Sequence, residues 1–88
     1  MQAKAVIRFT ETEAREKVGQ QVRSLTEFAG VPRGTLGTVV DIYQFANDSF
    51  DVFVEWDLPH RQTLRDRFAK GPYEEFLCEE SSELAHAV

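Results

Sequence analysis

Residues 35–57 have the sequence TLGTVVDIYQFANDSFDVFVEWD, in which two runs alternate between two classes of residue. In each run the even-numbered residues are almost all apolar and β-favouring: Leu36, Thr38, Val40 and Ile42, then Phe50, Val52, Val54 and Trp56. Since alternate residues share one face of a strand, the pattern predicts two strands with a common buried face. Asn47 and Asp48, between the runs, are typical turn formers. The stretch therefore predicts an antiparallel hairpin whose even-numbered side chains face the core.

The odd-numbered face of this hairpin contains three large apolar or aromatic residues, Val39, Tyr43 and Phe53, among acidic ones. A solvated strand face is normally polar, so these three predict a surface that something covers. If the numbers of paired residues on the two strands sum to 92, Val39 lies directly opposite Phe53, and if they sum to 94 the two residues are diagonal neighbours. Either register keeps them within contact range. Two interpretations stay open: the N-terminal helix or the C-terminal tail covers this face, or a partner or a second copy does.

The chain before the hairpin predicts a short helix. Thr10 and Glu13 have the spacing of a capping box, in which each residue's side chain binds the other's backbone N–H. Gly19 suits the C-terminal end of a helix because glycine readily adopts positive φ. These signals predict a helix over residues 11–18.

A strand and a turning loop are predicted between this helix and the hairpin. Residues 20–25 favour a strand in which Val22 and Ser24 face inward. Residues 26–34 include three residues that interrupt regular structure, two glycines and a proline, and they predict a loop.

The segments after the hairpin are less regular. Residues 62–68 fit either a strand or a helical turn, because their apolar positions suit both periods. Gly71 and Pro72 predict a turn, and residues 73–78 a closing strand. Residues 81–88 are expected to be a frayed tail.

Length, charge and cysteine usage restrict the class of protein. The chain has 88 residues, a single-domain length, and its net charge of −5 opposes non-specific binding to nucleic acid. Cys78 is the only cysteine, so an intrachain disulfide is excluded and a reducing cytoplasm is the expected compartment. Residues 1–13 contain no apolar run long enough for a signal peptide or membrane span. We expect no cofactor, no metal and no membrane, and a homo-oligomer, since small domains often gain stability by self-association.

Two short segments, Val22-Arg-Ser-Leu25 and Gly34-Thr-Leu-Gly37-Thr-Val39, resemble the opening of small SH3-like barrels, including the KOW-type domains of ribosome- and transcription-associated proteins. In that pattern one glycine turns the loop, and the other stands where a Cβ would obstruct the bending backbone. The resemblance extends to small stand-alone bacterial proteins whose roles are mostly uncharacterised. It implies a mainly β fold, a single SH3-like antiparallel β-barrel over residues 19–80. A short N-terminal helix would lie in the extension over residues 1–18.

Function follows less directly, because no set of residues forms a catalytic constellation. The main prediction is a non-catalytic protein-interaction module in the cytoplasm that self-associates through Val39, Tyr43 and Phe53. One alternative is a nucleic-acid or ribosome-associated module. Its anion patch would consist of five residues from the locally basic segment, namely His60, Arg61, Arg65, Arg67 and Lys70. Another is a small-molecule or enzymatic site formed at an oligomer interface. The resemblance in length to type II dihydrofolate reductases, which are tetramers with a shared central pore, implies only this mode of assembly, because their Val-Gln-Ile-Tyr pore signature is absent.

A peptide groove is a further interpretation. SH3 domains that bind proline-rich ligands combine aromatic residues with acidic loop residues. Glu27, Phe28, Pro32 and Trp56 are the candidates here, with Tyr43 as an additional member. The even number of Trp56 favours a place in the core over a place in such a groove.

Overall fold

The computed structural model describes residues 8–28, 30–59 and 63–80. It is mainly β, with one antiparallel sheet of five strands and two short helices in these residues. The elements in chain order are α1 (Glu11–Lys17), β1 (Gln21–Ser24), β2 (Leu36–Ala46), β3 (Ser49–Asp57), β4 (Thr63–Phe68), α2 (Lys70–Phe76) and β5 (Leu77–Glu79). The strand order across the sheet is β4-β3-β2-β1-β5, so β4 and β5 form its edges.

Helix α1 begins as the capping box predicts. The Thr10 hydroxyl accepts a hydrogen bond from the Glu13 backbone N–H, and the Glu13 carboxylate accepts one from the Thr10 backbone N–H. Gly19, just after the helix, has a φ of 96°. Ala14, the buried residue of the helix, belongs to the main core cluster, so α1 packs on the core through this small side chain.

The predicted hairpin is confirmed, but its inward face changes along β2. Gly37 lies opposite Trp56 and Val39 opposite Val54, whereas Asp41 lies opposite Phe53. The pairing register therefore shifts by one residue between Val39 and Asp41. Such a shift is a β-bulge, in which one strand contains an extra residue that has no partner on the other. A one-residue shift exchanges the two faces of a strand.

The bulge corrects two predictions about β2. The inward residues of its first half are Gly37 and Val39, and the even-numbered Leu36, Thr38 and Val40 are only half-buried. Val39 is 1% exposed and lies in the core, so the prediction that it shares an outer face with Tyr43 and Phe53 is wrong. The even-numbered residues of β3 do face the core, as predicted. Strand β1 also buries Val22 and Ser24, as predicted.

The two glycines around the start of β2 serve different purposes. Gly34 has a φ of 88°, which L-residues with a side chain rarely adopt, and it turns the loop. Gly37 instead leaves room for the core, because a Cβ built there would lie 2.7 Å from both Trp56 Cε3 and Val54 Cγ1. The close approach of β2 to the Trp56 ring therefore requires a residue without a side chain.

The segment after β4 corrects a further prediction. Residues 63–68 form a strand, which settles the open choice between strand and helical turn. Gly71 and Pro72 are not a turn but lie in the first turn of α2, and only Leu77–Glu79 of the predicted closing strand is β. Proline is tolerated there because the N–H groups of a first helical turn have no intrahelical acceptor. The predicted tail, 81–88, lies outside the described residues.

One core cluster joins both edges of the sheet. Phe68 of β4 and Leu77 of β5 are both buried in it. Phe28, from the loop between β1 and β2, packs against it, with its ring centroid 5.7 Å from that of Phe68 and 6.1 Å from that of Phe76. The loop thus packs over the same core that the two edge strands face.

Candidate functional site

The sheet has an outer face that the core does not use. We call it the outer sheet face and define it by seven residues of β2, β3 and β4: Asp41, Tyr43, Asp51, Phe53, Glu55, Arg65 and Arg67. The strand register places them in rows, with Tyr43 beside Asp51 and, in the next row, Phe53 between Asp41 and Arg67. Because paired residues of neighbouring strands point to the same side of a sheet, these side chains share one surface.

Three of these side chains form a stacked cluster. The Tyr43 and Phe53 rings meet edge to face, with centroids 6.2 Å apart. The Arg67 guanidinium carbon lies 4.4 Å from the centroid of the Tyr43 ring, within the range of a cation–π interaction. Tyr43 is 40% exposed and Phe53 is half-buried. The described residues therefore leave an accessible aromatic cluster, and aromatic and arginine side chains are the types enriched in protein interfaces.

Asp51 is the unusual member of this face. It is 8% exposed, although its strand position faces away from the core. Arg67 Nε lies 3.3 Å from Oδ2 of Asp51, whereas the other oxygen, Oδ1, is buried and has no hydrogen-bond partner among the described residues. Burial raises the pKa of the Asp51 carboxyl group, and the charge of Arg67 offsets part of this effect. The face thus holds a carboxylate that is only half satisfied.

The predicted anion patch is not assembled in the described residues. Arg65 and Arg67 are ion-paired across strands, with Glu55 at 3.6 Å and Asp51 at 3.3 Å. Lys70 lies elsewhere, at the start of α2, where its ammonium group is 3.2 Å from a carboxylate oxygen of Glu13. Two further candidates, His60 and Arg61, lie outside the described residues.

The candidate peptide groove is divided between the core and the loop surface. Trp56 is 2% exposed, which confirms its place in the core, and its indole N–H donates a 2.8 Å hydrogen bond to the Asp66 carboxylate. Phe28 packs near the Trp56 ring, at 6.1 Å between centroids, and is half-buried. Glu27 and Pro32 are exposed. Trp56 has too little free surface to line a binding groove.

A second polar cluster joins α1, α2 and β5. One carboxylate oxygen of Glu79 accepts hydrogen bonds from Lys17 Nζ and from the Tyr73 hydroxyl, the latter at 2.8 Å. Burial acts to raise the pKa of Glu79, but the hydrogen bonds from Lys17 and Tyr73 outweigh it and hold this pKa below its usual value. Burial, followed by the Glu79 hydrogen bond, raises the pKa of Tyr73. Every charged group here has a partner, so this cluster fixes the helices to the sheet.

No family model, no curated protein and no solved structure matches the chain. Across residues 8–28, 30–59 and 63–80 no helix is long and apolar enough to cross a membrane. The same residues contain no group of three or more histidine, cysteine, aspartate or glutamate side chains placed to hold a metal ion.

The sequence predicts Tyr43 and Phe53 on this face among acidic residues, but it does not place the two arginines there. Arg65 and Arg67 are instead predicted to belong to a separate anion patch. Arg65 and Arg67 are two residues apart in the sequence, and in a strand this spacing puts both side chains on one face. Their alignment with Glu55 and Asp51 depends on the register, which spacing alone does not give.

Proposed function

We propose that this chain is a non-catalytic protein-interaction module that self-associates through the outer sheet face. The observation that carries the proposal is the exposed aromatic cluster of Tyr43, Phe53 and Arg67, which lies among charged groups of both signs. The aromatic pair provides apolar contact area, and the mixture of two guanidinium groups with three carboxylates allows one copy of the face to complement another.

The proposal includes an SH3-like barrel as the scaffold. Two features support it: the edge strands β4 and β5 supply Phe68 and Leu77 to one core, and β2 bulges where it pairs with β3. A sheet whose two edges face a common core must curl, and a bulge increases the local twist and bend that curling needs. The strongly curved sheet would present β2, β3 and β4 outward as one convex surface.

Assembly through the β4 edge of the sheet is less favourable than assembly through the face. Suppose that the β4 strands of two copies pair antiparallel about a two-fold axis, with their side chains on matching faces. A register centred on Arg65 places Arg65 opposite its own equivalent, and a register centred on Asp66 does the same for Asp66 and places Arg65 opposite Arg67. Directly opposed like charges destabilise a strand pair. Asp66 also has the inward-facing position of β4, where a charge discourages edge pairing.

The size of the face sets the expected affinity. With strands about 4.8 Å apart and a rise of about 3.3 Å per residue, three strands and three alternate positions cover roughly 10 Å by 13 Å between Cα atoms. Even with side chains added, this is smaller than the roughly 800 Å² that each partner buries in a standard interface. We therefore expect a weak dimer that dissociates at micromolar concentration and forms as the concentration approaches about 1 mM.

Sedimentation equilibrium over this concentration range tests the proposal. We expect the wild-type chain to dimerise and Phe53→Lys to remain monomeric at every concentration. Val18→Lys is the matched control, since Val18 is 47% exposed but lies outside the face, and it should dimerise as the wild type does. A wild-type monomer at the highest concentration, or a Phe53→Lys dimer of unchanged affinity, contradicts the proposal.

A further inference from the structure

The Arg67 side chain lies across the outer sheet face. Its Cα atom is on β4, whereas Tyr43 is on β2, two strands or about 10 Å away. The guanidinium carbon nevertheless lies 4.4 Å from the centroid of the Tyr43 ring. The arginine side chain therefore extends over β3, along the surface of the sheet, to reach this ring.

Asp51 holds the guanidinium group in this position. Phe53 is the residue directly opposite Arg67 on β3, and Asp51 lies two residues before Phe53, on the same side of the strand. Oδ2 of Asp51 is 3.3 Å from Nε of Arg67, so the ion pair directs the arginine diagonally, toward the row that Asp51 shares with Tyr43. The guanidinium group thus contacts a carboxylate and an aromatic ring of its own chain.

The burial of Asp51 is unfavourable for the stability of the fold. The residue is 8% exposed, and its buried Oδ1 has no hydrogen-bond partner among the described residues. A buried oxygen without a donor is costly, and a valine would suit such a strand position without this cost. Because the chain itself buries Oδ1, a partner on the face does not reach it. The contact with Arg67 is therefore what distinguishes this carboxylate from an apolar residue.

The orientation of Arg67 determines how a partner meets the aromatic rings. Without an ion pair, an arginine beside Phe53 would extend into solvent and keep most of its rotamers. A partner would then have to order this side chain before it could contact Phe53, which lowers the affinity by roughly two- to tenfold for each arginine. Held along the sheet, Arg67 instead adds a planar guanidinium group to Tyr43 and Phe53, and such a group stacks well on aromatic side chains.

We propose that Asp51 is a positioning residue for self-association, which holds Arg67 along the outer sheet face. A second copy then meets Tyr43, Phe53 and the guanidinium group as one preformed surface, and Asp51 itself does not contact that copy. This inference rests on the self-association proposed above and adds the residue that orders the face before binding.

Nitrogen-15 relaxation of the arginine Nε–H groups tests the ordering of Arg67 in the monomer. At about 0.1 mM, below the range in which the dimer is expected to form, the order parameter of Arg67 Nε–H should be about 0.8, as in a rigid backbone. Arg33, which is exposed, should have a value below about 0.6. In Asp51→Val the value for Arg67 should fall to that of Arg33. A wild-type Arg67 as mobile as Arg33 contradicts the proposal without the need for any variant.

Sedimentation equilibrium of Asp51→Val tests the effect on self-association. Both copies would have to order a free Arg67, so the Kd of the dimer should rise roughly tenfold. The substitution also removes a negative charge, which by itself reduces the repulsion between two acidic chains and would strengthen the dimer. Asp48→Asn is the matched charge control, because Asp48 is exposed in the hairpin turn outside the face. It should dimerise at least as well as the wild type.

Urea unfolding distinguishes a positioning role from a purely structural one. Asp51→Val removes the unsatisfied oxygen, so its urea midpoint should equal or exceed that of the wild type. A clearly lower midpoint would show that the ion pair stabilises the fold, and it contradicts the proposal. If Asp51→Val dimerises with an unchanged Kd while Phe53→Lys remains monomeric, the positioning role is wrong and self-association stands. If the wild type is a monomer at the highest concentration, both are wrong.

Discussion

Replacing Gly37 with alanine should destabilise the fold through a single methyl group. The new Cβ would lie 2.7 Å from Trp56 Cε3 and from Val54 Cγ1, and 3.1 Å from Trp56 Cζ3. The two contacts of 2.7 Å are about 0.8 Å shorter than the lower end of ordinary carbon–carbon contact. Trp56 is 2% exposed and Val54 is 0% exposed, so neither side chain has free space into which it can move.

The expected magnitude follows from the cost of overpacking. Extra carbon atoms in a well-packed core typically cost 1–3 kcal/mol, and the two simultaneous contacts favour the upper part, about 2–3 kcal/mol. For a domain of this size such a loss lowers Tm by roughly 10–20 °C. Urea unfolding followed by Trp56 fluorescence measures the free energy directly, and circular dichroism gives Tm.

Gly71→Ala is the matched control, because it adds the same methyl group where no atom lies within 4 Å. Gly71 lies in α2, and alanine is the better helix former by about 0.5–1 kcal/mol. The control should therefore be slightly more stable than the wild type. A Gly37→Ala protein as stable as the wild type would refute the close packing of β2 against the Trp56 ring.

Three further outcomes are expected. Trp56→Phe should lower the free energy of unfolding by about 2–4 kcal/mol, since it removes the donor to the Asp66 carboxylate and leaves a cavity; Asp66→Asn, which keeps an acceptor oxygen, should cost less, with both measured by urea titration followed by circular dichroism. The hydrogen bonds that lower the pKa of Glu79 stabilise the fold above the ordinary value of 4.5, and this contribution is lost as the pH falls through the folded-state pKa. Glu79→Gln should therefore weaken the decline in stability between neutral pH and about pH 3, and an unchanged decline would contradict the role of this cluster. Phe45→Ser, at a residue 57% exposed, should change the free energy of unfolding by no more than about 0.5 kcal/mol, measured by urea titration.

The hairpin and the first helix were predictable because their signals are local. The alternation in β3 and the capping box of Thr10 and Glu13 each involve residues close in sequence, and both are confirmed. The inward face of β2 was not predictable in the same way. Val39 and Val40 are identical residues side by side, so alternation fits either of them as the buried one, and the choice depends on the pairing with β3.

Helix α2 was missed for a different reason. Gly71 and Pro72 are strong turn signals in isolation, yet both fit a first helical turn, where proline loses no hydrogen bond. The N–H of Tyr73 is the first to bond back, to the carbonyl of Ala69 at 2.9 Å. Tyr73 is then buried against Phe9, with ring centroids 5.5 Å apart in an edge-to-face contact. This long-range packing, which no short segment encodes, favours the helix over the turn.

The bulge in β2 also determines which side chains lie on the outer sheet face. Without it, Val39 would lie on the same side as Tyr43. With it, Val39 fills the core and the exposed half of the hairpin retains Tyr43 and Phe53, next to Arg67. The face is consequently less apolar and more charged than the sequence suggested. Charged groups on such a surface influence the alignment of a binding partner more than the strength of binding.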